Sequence, residues 1–210
     1  KNIFGGDKLK QITDQFGEKQ TYSPSYQIVL PEGYNNLEWV EKIKDAESLT
    51  IQNCQQITDF APLEQLDNLS ELYLLDAEKF NTKSFSNLGK ISKIETLSIL
   101  GAQQVEEIKN IQQIQSLKSL YLQTLNCENY EEIGELQDLS RLFIIANKIE
   151  SIDFIKKMKK LRHLQIRPAP IKDGGAIKEF NNNVGYSEQA SLDICLDADT
   201  FLPPYLYYFK

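Results

Sequence analysis

An apolar pattern, Leu-x-x-Leu-x-Leu, recurs along the central part of the chain and constrains the fold more than any other feature. Its six copies begin at positions 46, 69, 94, 117, 139 and 161, so successive starts are 23, 25, 23, 22 and 22 residues apart. Self-similarity at such a period is the signature of stacked repeat units. A single unit cannot bury its own apolar face, and stacking buries it against the neighbouring units.

Each copy combines two hydrophobic rhythms. Leu72 and Leu74 flank Tyr73, and this alternation predicts a strand with one buried face. After the strand, apolar residues recur at every third position, as in the stretch from 102 to 114, which predicts 3₁₀ turns or short helical pieces. Because each helical return brings the chain back to the same edge, the strands are expected to lie side by side and parallel.

One of the copies carries a family resemblance. The stretch LSRLFIIANKIESIDFIKKMKK at 139–160 resembles the bacterial 22-residue, internalin-like class of leucine-rich repeats. The resemblance extends over about residues 26–180. It implies an α/β fold: a right-handed leucine-rich-repeat solenoid with a parallel concave sheet and short helical or 3₁₀ convex segments. That class usually places Asn where the strand turns away, to form a hydrogen-bonded ladder, and at this position the chain has only Asn147.

Weaker copies and covering segments are predicted at both ends. Ile28 and Leu30 alternate near the start, and Leu192 and Ile194 alternate near the end. Residues 7–16 are expected to form a short helix that covers the first repeat, because an open solenoid end exposes core. The predicted organisation is an N-terminal capping segment at 1–25, about seven repeats at 26–180, and a last irregular repeat with a C-terminal cap at 181–210.

Side chains between the leucines should point outward, onto the concave sheet. Because neighbouring strands lie about 4.8 Å apart, the large outward residues of adjacent copies should form one patch. Solvent-facing apolar patches mark interaction sites, and Tyr suits them because it offers contact area together with a polar tip. The predicted patch consists of Tyr73, Leu75, Leu100, Tyr121, Phe143 and Ile145, with a basic end formed by Arg141, His163 and Arg167.

These residues predict non-catalytic recognition of a protein partner through the concave face. Three alternatives stay open for the patch: cross-strand packing alone, self-association as a weak homo-oligomer, and cover by the chain's own C-terminal segment. Two alternatives stay open for the whole protein, namely a recognition or regulatory part of a larger effector or enzyme, and a self-associating structural protein. The resemblance favours a bacterial surface or secreted location and leaves the cytoplasm open.

Enzymatic, metal and nucleic-acid functions find little support in the sequence. Cys54 and Cys127 occupy core positions of the repeat, and His163 is the only histidine, so no nucleophile–base pair and no Cys/His metal site is expected. No nucleotide-binding motif is present, and no cofactor is predicted. The net charge of −7 disfavours nucleic acid. The longest apolar run is too short to span a membrane, so membrane insertion is not predicted.

Overall fold

Parallel strands, one from each repeat, form a single sheet in this computed structural model, which describes residues 24–149, 151–167 and 191–194. Within that part of the chain the sheet has eight strands, and their order in space is their order in the sequence. The predicted fold, a leucine-rich-repeat solenoid with a parallel sheet, is confirmed. The strands are β1 (Ser25–Val29), β2 (Ser48–Gln52), β3 (Glu71–Leu74), β4 (Thr96–Ala102), β5 (Ser119–Thr124), β6 (Arg141–Ala146), β7 (His163–Arg167) and β8 (Ser191–Ile194).

The register of the sheet follows the leucine pattern. Leu72 pairs with Leu49 on one side and with Leu97 on the other, and the same ladder continues to the later strands. All of these leucines are buried in one contiguous core. A slip of one residue would turn this whole set to the opposite face, so the burial of a single face fixes the register.

The segments that return the chain to the start of the next strand are mostly 3₁₀ helices, as the three-residue rhythm predicts. Side chains three apart eclipse one another in a 3₁₀ helix and therefore share one inward face. The 3₁₀ segments are Glu38–Ile43, Cys54–Gln56, Ala61–Gln65, Ile111–Gln113, Glu131–Glu135 and Asp153–Lys157.

One return segment is an α-helix, α1 (Thr82–Leu88). It lies in the 25-residue repeat, which has two or three more residues than the others and so has room for it. Asn81 caps its first turn, and Ser84 completes a capping box. Phe85 from this helix packs edge-on against Phe80, with ring centroids 5.0 Å apart, and thereby anchors α1 to the core.

Side-chain amides link successive repeats where the strands end. Asn147 donates from Nδ2 to the Leu125 carbonyl, 2.9 Å away, at the ladder position that the sequence indicates. Asparagines next to that position make the same kind of contact in two other repeats. Asn53 and Asn126 donate to carbonyls of the preceding repeat at 3.0 and 2.6 Å, although they lie one residue before and one after the repeat position of Asn147. The turns at these repeats differ by one residue, so these amides still reach the carbonyls of the preceding repeat. An alignment of the repeats on their leucines does not reveal this difference.

The weaker copies at the ends also form strands. β1 pairs with β2, with Ile28 opposite Ile51, and β8 pairs with β7, with Leu192 opposite Leu164. The predicted helix at 7–16 and the predicted C-terminal cap lie outside the described residues. The three domain boundaries therefore stay predictions.

Candidate functional site

The candidate site is the outward side of the sheet, called here the concave face. Outward residues of successive strands stand opposite one another in three columns. In the first, Arg141 pairs with Ser119 and His163. In the middle one, Ser98 stands between Tyr73 and Tyr121. In the last, Ile145 stands between Gln123 and Arg167. The register brings together the predicted residues of β5, β6 and β7.

A β-bulge interrupts the last column at β4. The pairing with β5 shifts between Ile99 and Ala102, so two residues of β4, Leu100 and Gly101, lie opposite one residue of β5. Gly101 has a φ of +77°, a conformation that other residues rarely adopt. Leu100 therefore does not continue the column in simple register, which a strict repeat alignment cannot predict.

The two tyrosines sit in the middle column with polar neighbours at their edges. The Tyr73 hydroxyl lies 3.4 Å from Glu71 Oε2, and the same carboxylate oxygen accepts a hydrogen bond from the Ser48 hydroxyl at 3.1 Å. Burial raises the pKa of Tyr73, and the charge of Glu71 raises it further. Burial also raises the pKa of Tyr121. Both phenols are thus neutral donors at physiological pH.

Aromatic packing continues from the tyrosines to β6. The rings of Tyr121 and Phe143 lie with their centroids 6.0 Å apart and tilted by 35°. Such an arrangement stabilises adjacent strands and also builds a rigid apolar surface. Cross-strand packing is therefore part of what these residues do.

The expectation that every large residue of the patch faces solvent is wrong. Phe143 is only 4% exposed, Leu100 8% and Arg167 9%, while Tyr73, Leu75, Tyr121 and Ile145 are partly exposed. The ring of Tyr121 covers one flank of Phe143. Sequence patterns assign a side chain to a face of the sheet, but they do not show how far that face is covered.

The basic end of the concave face spans β6 and β7. Arg141 is exposed and lies opposite His163, which is partly exposed. Burial lowers the pKa of His163, and the positive charge of Arg141 lowers it further. The imidazole is therefore mainly neutral near pH 7, so the two arginines carry the charge of this end.

The lysines of the neighbouring return segment do not extend this basic end. Three of the four pair with a carboxylate of their own or the preceding repeat, while Lys159 donates to the Lys156 carbonyl. Lys156 lies 2.6 Å from Asp153, Lys157 lies 2.8 Å from Glu135, and Lys160 lies 2.5 Å from Asp138. These ion pairs offset the charge of three lysines, so the positive charge of the concave side comes from the arginines.

The described thiols are unsuited to chemistry. Cys54 and Cys127 are both buried. Burial raises the pKa of Cys54 to about 12 and that of Cys127 to about 11, so both stay protonated near neutral pH. Within the described ranges, no group of three His, Cys, Asp or Glu side chains is placed to hold a metal ion. No described helix has both the length and the apolar character that a membrane span requires.

Comparison with solved structures shows which fold this is. Internalin C2 from Listeria monocytogenes superposes with a TM-score of 0.56 and 17% identity, over 70% of this chain and 63% of that one. The chain has the leucine-rich-repeat fold of the internalins.

Two further solved structures match this leucine-rich-repeat chain. A second Listeria monocytogenes internalin matches with a TM-score of 0.44 and 14% identity, over 75% of this chain and 59% of that one. A leucine-rich-repeat protein from Leptospira interrogans matches with a TM-score of 0.45 and 12% identity, over 89% of this chain and 58% of that one. The chain spans less than two thirds of the length of each of these structures. No protein-family model and no curated protein matches the sequence.

Proposed function

We propose that this leucine-rich-repeat protein is a non-catalytic recognition module that binds a protein partner on its concave face. The observation that carries the proposal is the run of large side chains along that face, centred on Tyr73, Tyr121 and Phe143, in strands whose leucines already supply the core. The inward residues form the core, so the outward side chains are not needed to fill it. Aromatic residues on the outward side add rigid contact area, and the two tyrosines add polar tips, which suits a protein interface.

The partner surface expected here has two parts. Tyr73, Leu75, Tyr121 and Ile145 offer partly exposed apolar area across β3 to β6. Arg141 at the adjacent end supplies a positive charge that complements an acidic stretch. The proposed ligand is therefore a protein segment that carries apolar or aromatic residues followed by carboxylates.

The experiment is affinity capture with mass spectrometry from the source organism and its surroundings. The test variant combines Tyr73→Glu with Tyr121→Glu, which places two charges in the apolar part of the face. The matched control combines Gln27→Glu with Val29→Glu, which adds the same charges to exposed outward positions of β1. Circular dichroism and thermal unfolding confirm that both variants fold.

A partner held by the wild type and by the control, but lost by the test variant, supports recognition through the concave face. Equal capture by all three proteins contradicts it and moves the interaction to the convex side. If the test variant loses its fold, Tyr121→Ser, which removes the ring without adding charge, replaces it in the same comparison.

A further inference from the structure

Two opposite charges stand on the concave face. Among the outward positions of β2 to β6, all of them in the described part of the chain, only Glu71 and Arg141 are charged. Both belong to the first column, in which Thr96 and Ser119 separate them. Their strands are three strand spacings apart, which is about 14 Å. The face therefore has a negative end at β3 and a positive end at β6.

The carboxylate of Glu71 is held in place by neutral groups. Its Oε2 atom accepts a hydrogen bond from the Ser48 hydroxyl at 3.1 Å and lies 3.4 Å from the Tyr73 hydroxyl. Neutral donors orient a carboxylate without cancelling its charge. At the opposite end Arg141 is exposed, and no described carboxylate forms an ion pair with it. Both charges are thus available to a partner.

A second row of charges has the same order. It consists of the residues just before the first column, which backbone hydrogen bonds join from strand to strand: Glu47, Ser70, Glu95, Lys118, Ser140 and Arg162. The acidic residues of this row precede the basic ones. Glu95 and Lys118 lie 2.5 Å apart where the sign changes, and both are exposed. Their pairing leaves Glu47 on the negative side and Arg162 on the positive side.

An aromatic strip lies beside the two charges of the first column. Tyr73, Tyr121 and Phe143 form it along the middle column from β3 to β6, and the partly exposed tyrosines supply its accessible area. Glu71 precedes Tyr73 by two residues on β3, and Arg141 precedes Phe143 by two residues on β6. A partner that packs along the strip therefore has its two ends beside opposite charges.

The distance between the two charges determines what a partner must carry. The Debye length at physiological ionic strength is about 8 Å, which is shorter than the separation of the two ends. The ends therefore act independently, and one side chain cannot neutralise both. A complementary partner needs a basic group over β3 and an acidic group over β6. The opposite direction would place like charges together at both ends, which weakens binding.

We propose that the concave face binds an extended protein segment in one direction only, with a Lys or Arg beside Glu71 and an Asp or Glu beside Arg141. The proposal rests on the proposed function and adds the chemistry and orientation of the partner. In an extended chain, residues four apart lie about 14 Å apart on the same side. Same-facing residues of a helix, seven or eleven apart, lie about 10.5 or 16.5 Å apart and match less well. The segment therefore carries opposite charges four residues apart.

The experiment selects ligands for the full chain from a display library of random peptides. Peptides that also bind the variant Tyr73→Glu with Tyr121→Glu are discarded, so that the retained ones are ligands of the concave face. Fluorescence anisotropy then measures the Kd of a retained peptide and of a copy in which its two charged residues are exchanged. The ratio of these two values is the directional preference of the protein.

The preference is compared among the wild type, a charge-exchange variant and a control. The charge-exchange variant combines Glu71→Lys with Arg141→Glu. The matched control combines Glu41→Lys with Lys44→Glu, at exposed positions in and just after the 3₁₀ segment Glu38–Ile43. Both variants keep the net charge of the wild type, so a difference between them reports the place of the charges.

The retained peptides should carry opposite charges four residues apart. The wild type and the control should bind the selected peptide at least about tenfold more tightly than its exchanged copy, and the charge-exchange variant should reverse this preference. The apolar contacts are the same for both copies, so only the charges differ. The preference should shrink in about 1 M salt, where the Debye length is about 3 Å.

Two single variants keep the test informative if the charge-exchange variant fails to fold. Glu71→Gln removes the charge and keeps an oxygen that accepts from the Ser48 hydroxyl. Arg141→Glu changes an exposed residue. Each should lower the preference of the wild type by about threefold or more.

A charge-exchange variant that keeps the wild-type preference overturns the proposal and leaves the proposed function standing. Retained peptides with charges of one sign, or with opposite charges at helical spacing, also overturn it. A wild-type dimer in analytical ultracentrifugation that Arg141→Glu dissociates and the charge exchange restores would make a second copy the occupant, and the proposal would be wrong. If no peptide survives the discarding step, the proposed function is contradicted and the proposal with it.

Discussion

Tyr130 differs from the tyrosines of the concave face because its ring takes one of the inward positions of the three-residue rhythm. It is buried, and its hydroxyl lies 2.8 Å from Thr124 Oγ1 and donates to the Cys127 carbonyl at 3.2 Å. Burial raises its pKa, so it is a neutral donor at any physiological pH. The same residue type thus serves the core or the surface according to its place in the repeat.

Replacing Tyr130 with Phe removes this hydroxyl and keeps the ring. The free energy of unfolding should fall by about 1–3 kcal/mol, because Thr124 and the Cys127 carbonyl lose a buried partner. Urea denaturation with an unchanged m-value measures it. Adding Thr124→Val should recover part of the loss, since an apolar pair leaves fewer unsatisfied groups. Stability equal to wild type in the single variant would contradict the network.

The thiols give a second prediction at the residue scale. Burial raises the pKa of Cys54 from 9.0 to about 12 and that of Cys127 from 9.0 to about 11. A raised pKa means less thiolate at pH 8, so both should react with a disulfide reagent at least about 100-fold more slowly than in the unfolded chain. Reactivity should rise as the pH approaches 11. The assay uses the variant Cys195→Ser, so that only these two thiols contribute; rapid labelling of the folded protein at pH 8 would contradict the prediction.

At the scale of elements, two neighbouring return segments approach closely at a glycine. Gly134 lies in the 3₁₀ segment Glu131–Glu135, against the next one, Asp153–Lys157. A Cβ at this position would lie 2.8 Å from the Phe154 carbonyl oxygen and 3.2 Å from the Phe154 Cβ. Because the nearest atom belongs to the backbone, rotation of a side chain cannot relieve the clash.

Substituting Gly134→Ala should therefore lower the free energy of unfolding by about 1–3 kcal/mol, as overpacking does elsewhere. The matched control is Glu131→Ala, at an exposed position of the same 3₁₀ segment, and its effect should stay within about 0.5 kcal/mol. Chemical denaturation measures both variants. A Gly134→Ala variant as stable as its control would mean that the two segments are farther apart than described.

For the whole molecule, the leucine pattern predicts the fold in detail because inward positions obey a simple rule. The strands, their order and the register of Leu72, Leu97 and Leu120 all follow from it. Local departures do not follow from it, such as the bulge at Leu100–Gly101, because a small register shift leaves no trace in a hydrophobic pattern. The exposure of each outward residue is equally hidden, since it depends on how its neighbours pack against it, as Tyr121 packs against Phe143.

Repeat modularity leads to the last prediction. Each unit contacts mainly its two neighbours, so stability is the sum of units and their interfaces. Deleting residues 117–138 removes one complete 22-residue repeat and joins position 116 to the start of the next copy. β4 should then pair with β6, because both keep the same inward leucines. The deletion protein should fold cooperatively, with a lower midpoint in urea and an m-value reduced by about a tenth.

A half-repeat deletion, residues 117–127, is the control that separates modularity from tolerance of any shortening. It removes the strand β5 but keeps the following return segment, so the chain comes back to the sheet with no strand to place there. This protein should lose cooperative unfolding, although it is missing only half as many residues. If the half-repeat deletion were the more stable of the two, the repeats would not be the units of folding. If it unfolds while the whole-repeat deletion stays folded, each 22-residue sequence repeat is also one unit of cooperative folding.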